Sequence, residues 1–399
     1  MIVMVVAALT STVVALSPVA AAAGPVQVSG NAAWSWWMSP LASAGADGGL
    51  TFGVVNSGGI QRVITHDGTA QTAVVQMGSG AADDHNAVAV SRLSGRPTIA
   101  AWAGHPAPVR VAVDQAGGVA FGPPQTLFGG ATGSYVQIIR DDASPRVVVL
   151  SRVTPGTVKW LATTSPDDGV TWTAPTVFAD GTGIGQFYAQ VEPRHGAPGV
   201  LDVGAYRHPN AGTGTNTIRH LQTTFDELYG GLQLDLTGPG MDVTWAPSSE
   251  DLGFRTRLLD VGTVHGAPVV AYARWRPAIP TPVYYLAIRQ PDGSWLNRQL
   301  DSSGPAFWEP SKYVGGIAID EVHDRVTVSR QIASTGTWEI HRRDVLSPAG
   351  ELGTRQVLAT DTAPLVRPVH DGEGGVLWLR LSGYTHYTDY FATAWWLRP

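Results

Sequence analysis

Several short stretches of this chain gather side chains that can move protons or hold anions. Asp83-Asp84-His85-Asn86 is followed by Gly104-His105; Tyr135 is followed by Arg152, and Tyr188 by Arg207-His208. Further on come Tyr313 with Arg330, and then Arg367. An imidazole exchanges protons near neutral pH. A guanidinium forks onto a carboxylate through two parallel hydrogen bonds. A phenol can donate a proton to a leaving oxygen. The combination points to acid–base chemistry on an anionic substrate. Taken singly, each member has an ordinary explanation: a strand-end Tyr or Arg is usually solvated, and a lone His is usually structural. The set as a whole carries more weight, because such groups gather at functional sites.

These residues can act together only if the chain aims them at one place. In an antiparallel hairpin, residues equidistant from the turn face each other. The strands Ala87 to Leu93 and Pro97 to Ala103 flank a turn at Ser94-Gly95-Arg96, so His85 and His105 lie symmetrically about Gly95 and meet at one end. Tyr135 and Arg152 bracket a second hairpin turning at Asp141 to Pro145. Tyr188 and Arg207-His208-Pro209 bracket a third, turning at His195 to Gly199. Tyr313 with Arg330, and Arg367 opposite the strand carrying Trp378, extend the series.

The hairpins belong to a repeat. Seven β-prone runs recur along the chain: Thr51 to Val55, Thr98 to Trp102, Arg146 to Leu150, Val200 to Ala205, Val269 to Tyr272, Arg325 to Val328, and Val376 to Leu379. Seven units of four short strands predict an all-β, seven-bladed β-propeller with four-stranded antiparallel blades over residues 24–399. Two β-sandwiches are the alternative. Ser165-Pro166-Asp167-Asp168-Gly169-Val170-Thr171-Trp172 favours the propeller, because it matches the Asp-box hairpin between the outer strands of a blade. Pro291-Asp292-Gly293-Ser294-Trp295 and Ser347-Pro348-Ala349-Gly350 are weaker relatives. The first and last segments should share a blade, with Trp34, Trp36, Trp37, Trp395 and Trp396 packing where the ring closes. The inner strands then line a central funnel, and the His, Tyr and Arg side chains converge at one mouth of it.

Composition narrows the partners. A formal net charge of −6 argues against nucleic acid, whose phosphates call for a basic surface. The cations are nearly all Arg, with Lys only at 159 and 312, which suits carboxylate recognition as well as simple base composition. Without cysteine there is no disulfide, thiolate metal site or thiol nucleophile. Residues 1–23 are apolar and end in Ala20-Ala21-Ala22-Ala23, which reads as a signal peptide and predicts secretion, with a retained membrane anchor as the alternative. No membrane association is expected after cleavage, and a monomer is expected. The sequence shows no metal-ligand spacing; Asp83 or Asp84 could contribute to a structural Ca²⁺ site, although solvated turn carboxylates explain them as well.

The same residues carry a resemblance. Asp83-Asp84-His85-Asn86, Gly104-His105, Tyr135, Ser151-Arg152, Phe187-Tyr188, His208-Pro209, Tyr313 to Ile317, Ser329-Arg330, Arg367-Pro368 and the closing Ser382 to Tyr390 resemble the BNR-repeat propeller family. That family includes ulvan lyases and lyases of rhamnose–glucuronate linkages. Two departures are Gln186 before Phe187 and the Ile218-Arg219-His220 stretch. The resemblance implies a lyase cleaving a uronate glycan by β-elimination, with His85, His105, Tyr135, Arg152 and His208 as its catalytic set. Such chemistry needs carboxylate neutralisation, for which Arg152 and His208 are suited, a base at the C5 proton and an acid at O4. His105 is favoured as base, Tyr135 as acid and His85 as an assistant, with the reverse left open. Asn86, Tyr188, Arg207, His208, Tyr313, Arg330 and Arg367 are the expected substrate contacts. No cofactor is required. An α-L-rhamnosidase-like hydrolase and a non-catalytic carbohydrate-binding propeller are the competing readings.

Overall fold

The computed structural model describes residues 24–398, apart from 46, 106, 115–119, 155–158, 183–184, 209–216, 236–240, 243–253, 277–280 and 310–311. The leader 1–23 and Pro209 therefore lie outside the described residues. The strands form seven antiparallel sheets, six of four strands and one of five. The protein is an all-β, seven-bladed propeller. Each β-prone run picked out from the sequence is the second strand of its blade: Leu50–Val55, Thr98–Trp102, Val147–Thr154, Val200–Arg207, Ala267–Trp275, Arg325–Ile332 and Val376–His386. These runs are rich in apolar residues because a second strand is covered on both faces by neighbouring blades, so its burial is nearly continuous rather than alternating.

The N-terminal strand Val26–Ser29 pairs with the C-terminal strand Asp389–Leu397, with Val26 opposite Trp396, and so completes the last blade. This joins the first and last segments as the sequence predicts. The Asp box links the two outer strands of the third blade, Lys159–Ser165 and Thr176–Asp180. Asp167 accepts from the Thr171 amide at 2.8 Å and from its hydroxyl at 2.7 Å, while Trp172 Nε1 donates to the Gly169 carbonyl at 3.0 Å. Gly169 sits at φ 87°, in the left-handed region that makes the turn specific for glycine. Asp168 holds Arg140 at 2.6 Å and also pairs with Arg96 of the second blade, so the motif ties two blades together. Its amide donates to the Pro145 carbonyl, which places the box at the end of the blade remote from Tyr135 and Arg152.

Between the closing strand and the first blade, the segment 32–41 crosses the axis. The Val55 amide donates to the Ala33 carbonyl, Ile138 to Ser39, Val90 to Pro40 and Gly53 to Leu41. Trp36 meets Tyr313 edge-on at 5.0 Å, and Trp37 stacks on Tyr188 at 4.2 Å. The two indoles thus pack against the fourth blade and the approach to the sixth, with Arg257 of the fifth blade over both, and divide the channel. Below them lies a cavity of about 500 Å³ whose walls include Ser39, Gln190, Glu192, Asp260 and Glu321. Above them lies the mouth to which the hairpins deliver their His, Tyr and Arg side chains.

Candidate active site

The loop before the second blade folds as a single 3₁₀ turn, Asp84–Asn86, capped by the Asp83 carboxylate. Asp83 Oδ1 accepts from the His85 amide at 2.9 Å and lies 2.6 Å from His85 Nδ1; Asp83 Oδ2 lies 3.4 Å from His105 Nδ1. The two histidines therefore meet on one carboxylate. His85 is buried, with its Nε2 3.3 Å from the Tyr313 hydroxyl, whereas the His105 side chain is 38% exposed at the mouth. Asn86 helps to build this corner. Its Oδ1 accepts from the His105 amide at 2.9 Å and its Nδ2 donates to the Ala81 carbonyl, so its amide ties the histidine loop to His105.

The first strand of the third blade, Thr132–Arg140, carries a bulge between Ser134 and Gln137. Tyr135 lies in it with φ 57°, a left-handed conformation that a bulky residue rarely adopts. The bulge turns the phenol inward, so that its ring meets His85 at 5.2 Å and Tyr188 at 5.3 Å, both edge-on. Burial, reinforced by Tyr188, pushes the Tyr135 hydroxyl well above the usual phenol range and keeps it protonated. Arg152 comes from the second strand, opposite Ser134, and places its guanidinium over the Tyr135 ring at 4.6 Å and the Tyr188 ring at 5.2 Å. Its Nη2 donates to Ser134 Oγ at 3.2 Å, while Nε and Nη1 have no hydrogen-bond partner among the described residues. A buried cation with unpaired donors is one whose charge a carboxylate would compensate.

Tyr188, opposite Tyr206 in the fourth blade, receives a hydrogen bond from Gln186 Nε2 at 3.1 Å and lies 5.6 Å from the His208 ring. Burial, with Arg257 and Arg152 nearby, pushes His208 down to about 3. The His208 ring is thus held neutral at ordinary pH. Arg207 is exposed, and period-two alternation puts it on the opposite face of the strand from buried Tyr206.

Two further arginines differ from expectation. Arg367 also lies in a bulge at φ 56°, but its Nη1 pairs with Asp84 Oδ2 at 2.7 Å and with the Trp34 carbonyl, and its Nη2 reaches the Tyr384 hydroxyl at 3.2 Å. With only 2% of its side chain exposed, it forms a buried ion pair under the mouth. Arg330 pairs with Asp301 and, at 3.4 Å, with Glu339, which directs it between the fifth and sixth blades and away from the cluster. Tyr313 lies in the cluster, beside His85.

Sequence reading missed Asp83 and Asp84 as partners, the indole floor of Trp36 and Trp37, and Tyr387, whose ring meets His85 at 5.0 Å. It also missed Arg257, whose guanidinium lies 4.8 Å from the Tyr313 ring centre. Only Asp83 and Asp84 left a signal, by lying next to His85. Among the described residues, Asp83, Asp84 and His85 are the one His/Asp/Glu group with ligand atoms within 4.8 Å of one another. Calcium takes six to eight oxygen ligands. This group offers one nitrogen and two carboxylates already engaged by histidine and by Arg367, so it does not fit that ion.

The fold has solved counterparts. An ulvan lyase of polysaccharide lyase family PL25 superimposes with a TM-score of 0.66 at 11% identity, covering 93% of this chain and 95% of that one. A structure of a PL25 ulvan lyase bound to -[GlcA(1-4)Rha3S]- gives a TM-score of 0.65 at 11% identity, covering 93% and 94%. No protein-family model matches the chain, and no curated protein matches it by sequence. At this identity the likeness establishes the propeller alone.

Proposed function

We propose that the protein is an exported polysaccharide lyase that cleaves a uronic-acid-containing glycan by β-elimination, with a rhamnose–glucuronate linkage as its substrate. The observation that carries this reading is Arg152. Its buried guanidinium lies over Tyr135 with two nitrogens left unpaired and no carboxylate beside it among the described residues, next to a histidine pair of which one member, His105, is accessible. The oligosaccharide bound by the PL25 ulvan lyase supports an acidic glycan as the ligand class, and the apolar leader supports export.

In this mechanism Arg152 neutralises the uronate carboxylate and stabilises the charge that develops as C5 loses its proton. His105 takes the proton. The C5 electron pair forms the C4–C5 double bond, and the C4–O4 bond breaks. Tyr135, kept protonated by burial, donates to the departing O4. The products are an unsaturated uronate and a free hydroxyl on the neighbouring sugar. The chemistry draws on side chains alone. Glycoside hydrolysis would instead need two carboxylates flanking open space. The carboxylates in this cluster, Asp83 and Asp84, are buried against histidine and Arg367, which weighs against the rhamnosidase reading.

Incubation with ulvan, arabinogalactan or glucuronan should generate the ultraviolet absorbance of an unsaturated uronate. His105→Ala should abolish that signal while retaining glycan binding, because the lost interaction belongs to the transition state. Saturated products alone would replace the lyase reading by the hydrolase. Binding of these glycans without cleavage by the wild type would replace it by the lectin.

A further inference from the structure

We infer that Asp83 is the positioning residue of the site, one carboxylate that fixes the tautomer of both histidines and makes Nε2 of His105 the atom that accepts the proton. This rests on the proposed elimination only for the identity of the proton accepted. The geometry stands by itself. Asp83 is 2% exposed and divides its two oxygens between the rings: Oδ1 lies 2.6 Å from His85 Nδ1, and Oδ2 lies 3.4 Å from His105 Nδ1. A carboxylate in this position accepts hydrogen bonds only, so each ring must carry its proton on Nδ1. The lone pair of a neutral ring is then on Nε2. In His85 that nitrogen faces the Tyr313 hydroxyl at 3.3 Å, inside the cluster. In His105 the ring is the exposed one, so its Nε2 is the lone pair available to a ligand in the mouth.

The support around Asp83 is built for rigidity. Its Oδ1 also accepts the His85 amide, and Asn86 holds the His105 amide, so both histidine backbones are tied to the same turn. The neighbouring Asp84 does not compete for the rings. Its Oδ1 stands 3.3 Å from His85 Nδ1, farther off than Asp83 and without a hydrogen bond, while its Oδ2 accepts from Arg367 and from the Tyr384 hydroxyl at 2.6 Å. The two adjacent carboxylates thus have separate tasks. One orients imidazoles, and the other compensates a buried guanidinium.

Asp83→Asn keeps the size and changes the chemistry. An amide can accept from one ring but must donate to the other, which forces that ring into the opposite tautomer. On the glycan the wild type cleaves, kcat should fall about 10²- to 10⁴-fold, the range set by loss of an oriented base, with KM changed less than about threefold. Asp83→Glu should recover part of kcat. Nitrogen-15 NMR of the uncomplexed wild type at a pH where the rings are neutral should show both His85 and His105 protonated on Nδ1, and Asp83→Asn should convert one of them. Wild-type His105 protonated on Nε2 would overturn the inference, and so would an Asp83→Asn enzyme with wild-type kcat. If the wild type cleaves no uronate glycan, the lyase reading falls. The tautomer spectrum of that same wild-type protein still decides the role of Asp83, and needs no variant to fold.

Discussion

Replacing Glu192 by Gln should stabilise the protein at alkaline pH and change it little near pH 4. Glu192 lines the lower cavity, where Ser39 Oγ donates to its Oε1 at 2.6 Å and Gln190 Nε2 approaches at 3.1 Å. Burial, with Asp260 nearby, pushes its carboxyl from 4.5 up to about 7. Below the lower value it is protonated whether the chain is folded or not, and nothing is lost. Above the higher value it is ionised in both states, and the folded protein bears the cost of an unfavourable buried charge. Stability therefore declines as pH rises between the two. The full linkage is about 3 kcal/mol. Glu192 opens onto the cavity and interacts with Asp260, so we expect about 1–2 kcal/mol, or about 1–2.5 °C in Tm at pH 8.5. Asp260 and Glu321, also raised to about 7, act in the same direction in wild type and variant. His208 and His341, both lowered to about 3, oppose this trend as pH falls below 6.5. The informative quantity is accordingly the difference between Glu192→Gln and wild type, followed by thermal melts from pH 4 to 8.5. A difference that stays flat with pH, or a variant less stable than wild type at pH 8.5, would refute the reasoning.

Two further outcomes follow from the arginines. Arg152→Lys should lower kcat/KM about 10²-fold or more, because an ammonium cannot reproduce a two-pronged carboxylate contact; methyl-esterifying the substrate should weaken binding to wild type much more than to the variant, as read by calorimetry. Arg367→Met should cost about 3–5 kcal/mol by leaving Asp84 charged and buried, and adding Asp84→Asn should restore part of that in a denaturant titration.

The ring was legible because its signal is repeated. Seven apolar second strands and one complete Asp box specify blades, and hairpin symmetry about Gly95 is enough to bring His85 and His105 together from spacing alone. The bulges were not legible. Tyr135 and Arg367 both occupy left-handed positions that neither residue favours, so nothing local announces them, and only the strand pairing reveals the extra residue. The partners of charged groups were equally hidden. Arg152, Arg330 and Arg367 look alike as strand-end arginines, yet two are neutralised by Asp301 and Asp84, whose proximity depends on how separate blades pack. What separates the third is the lack of a carboxylate beside it among the described residues, a property of the folded ring and not of any local pattern.

The same packing makes closure of the ring and assembly of the site one event. The strand that completes the last blade continues into the segment that crosses the axis, and that segment supplies both Trp36 and Trp37. Trp37 stacks on Tyr188 and meets Tyr135 edge-on at 5.5 Å, so it fixes two phenols that flank Arg152. Trp36 underlies the Arg367 guanidinium at 4.7 Å, and its neighbour Trp34 donates from Nε1 to the Arg367 carbonyl at 3.0 Å. Arg367 in turn holds Asp84, the residue between Asp83 and His85. A chain of contacts thus runs from the closing strand through the indoles to both halves of the mouth. A propeller whose first strand fails to pair would lose the floor on which the phenols and the histidine loop rest, even with the other six blades intact. The funnel is consequently more than a frame on which separate blades display residues: the axial segment converts seven blade ends into one preorganised surface, which is the condition for an electrostatic site to act without rearranging.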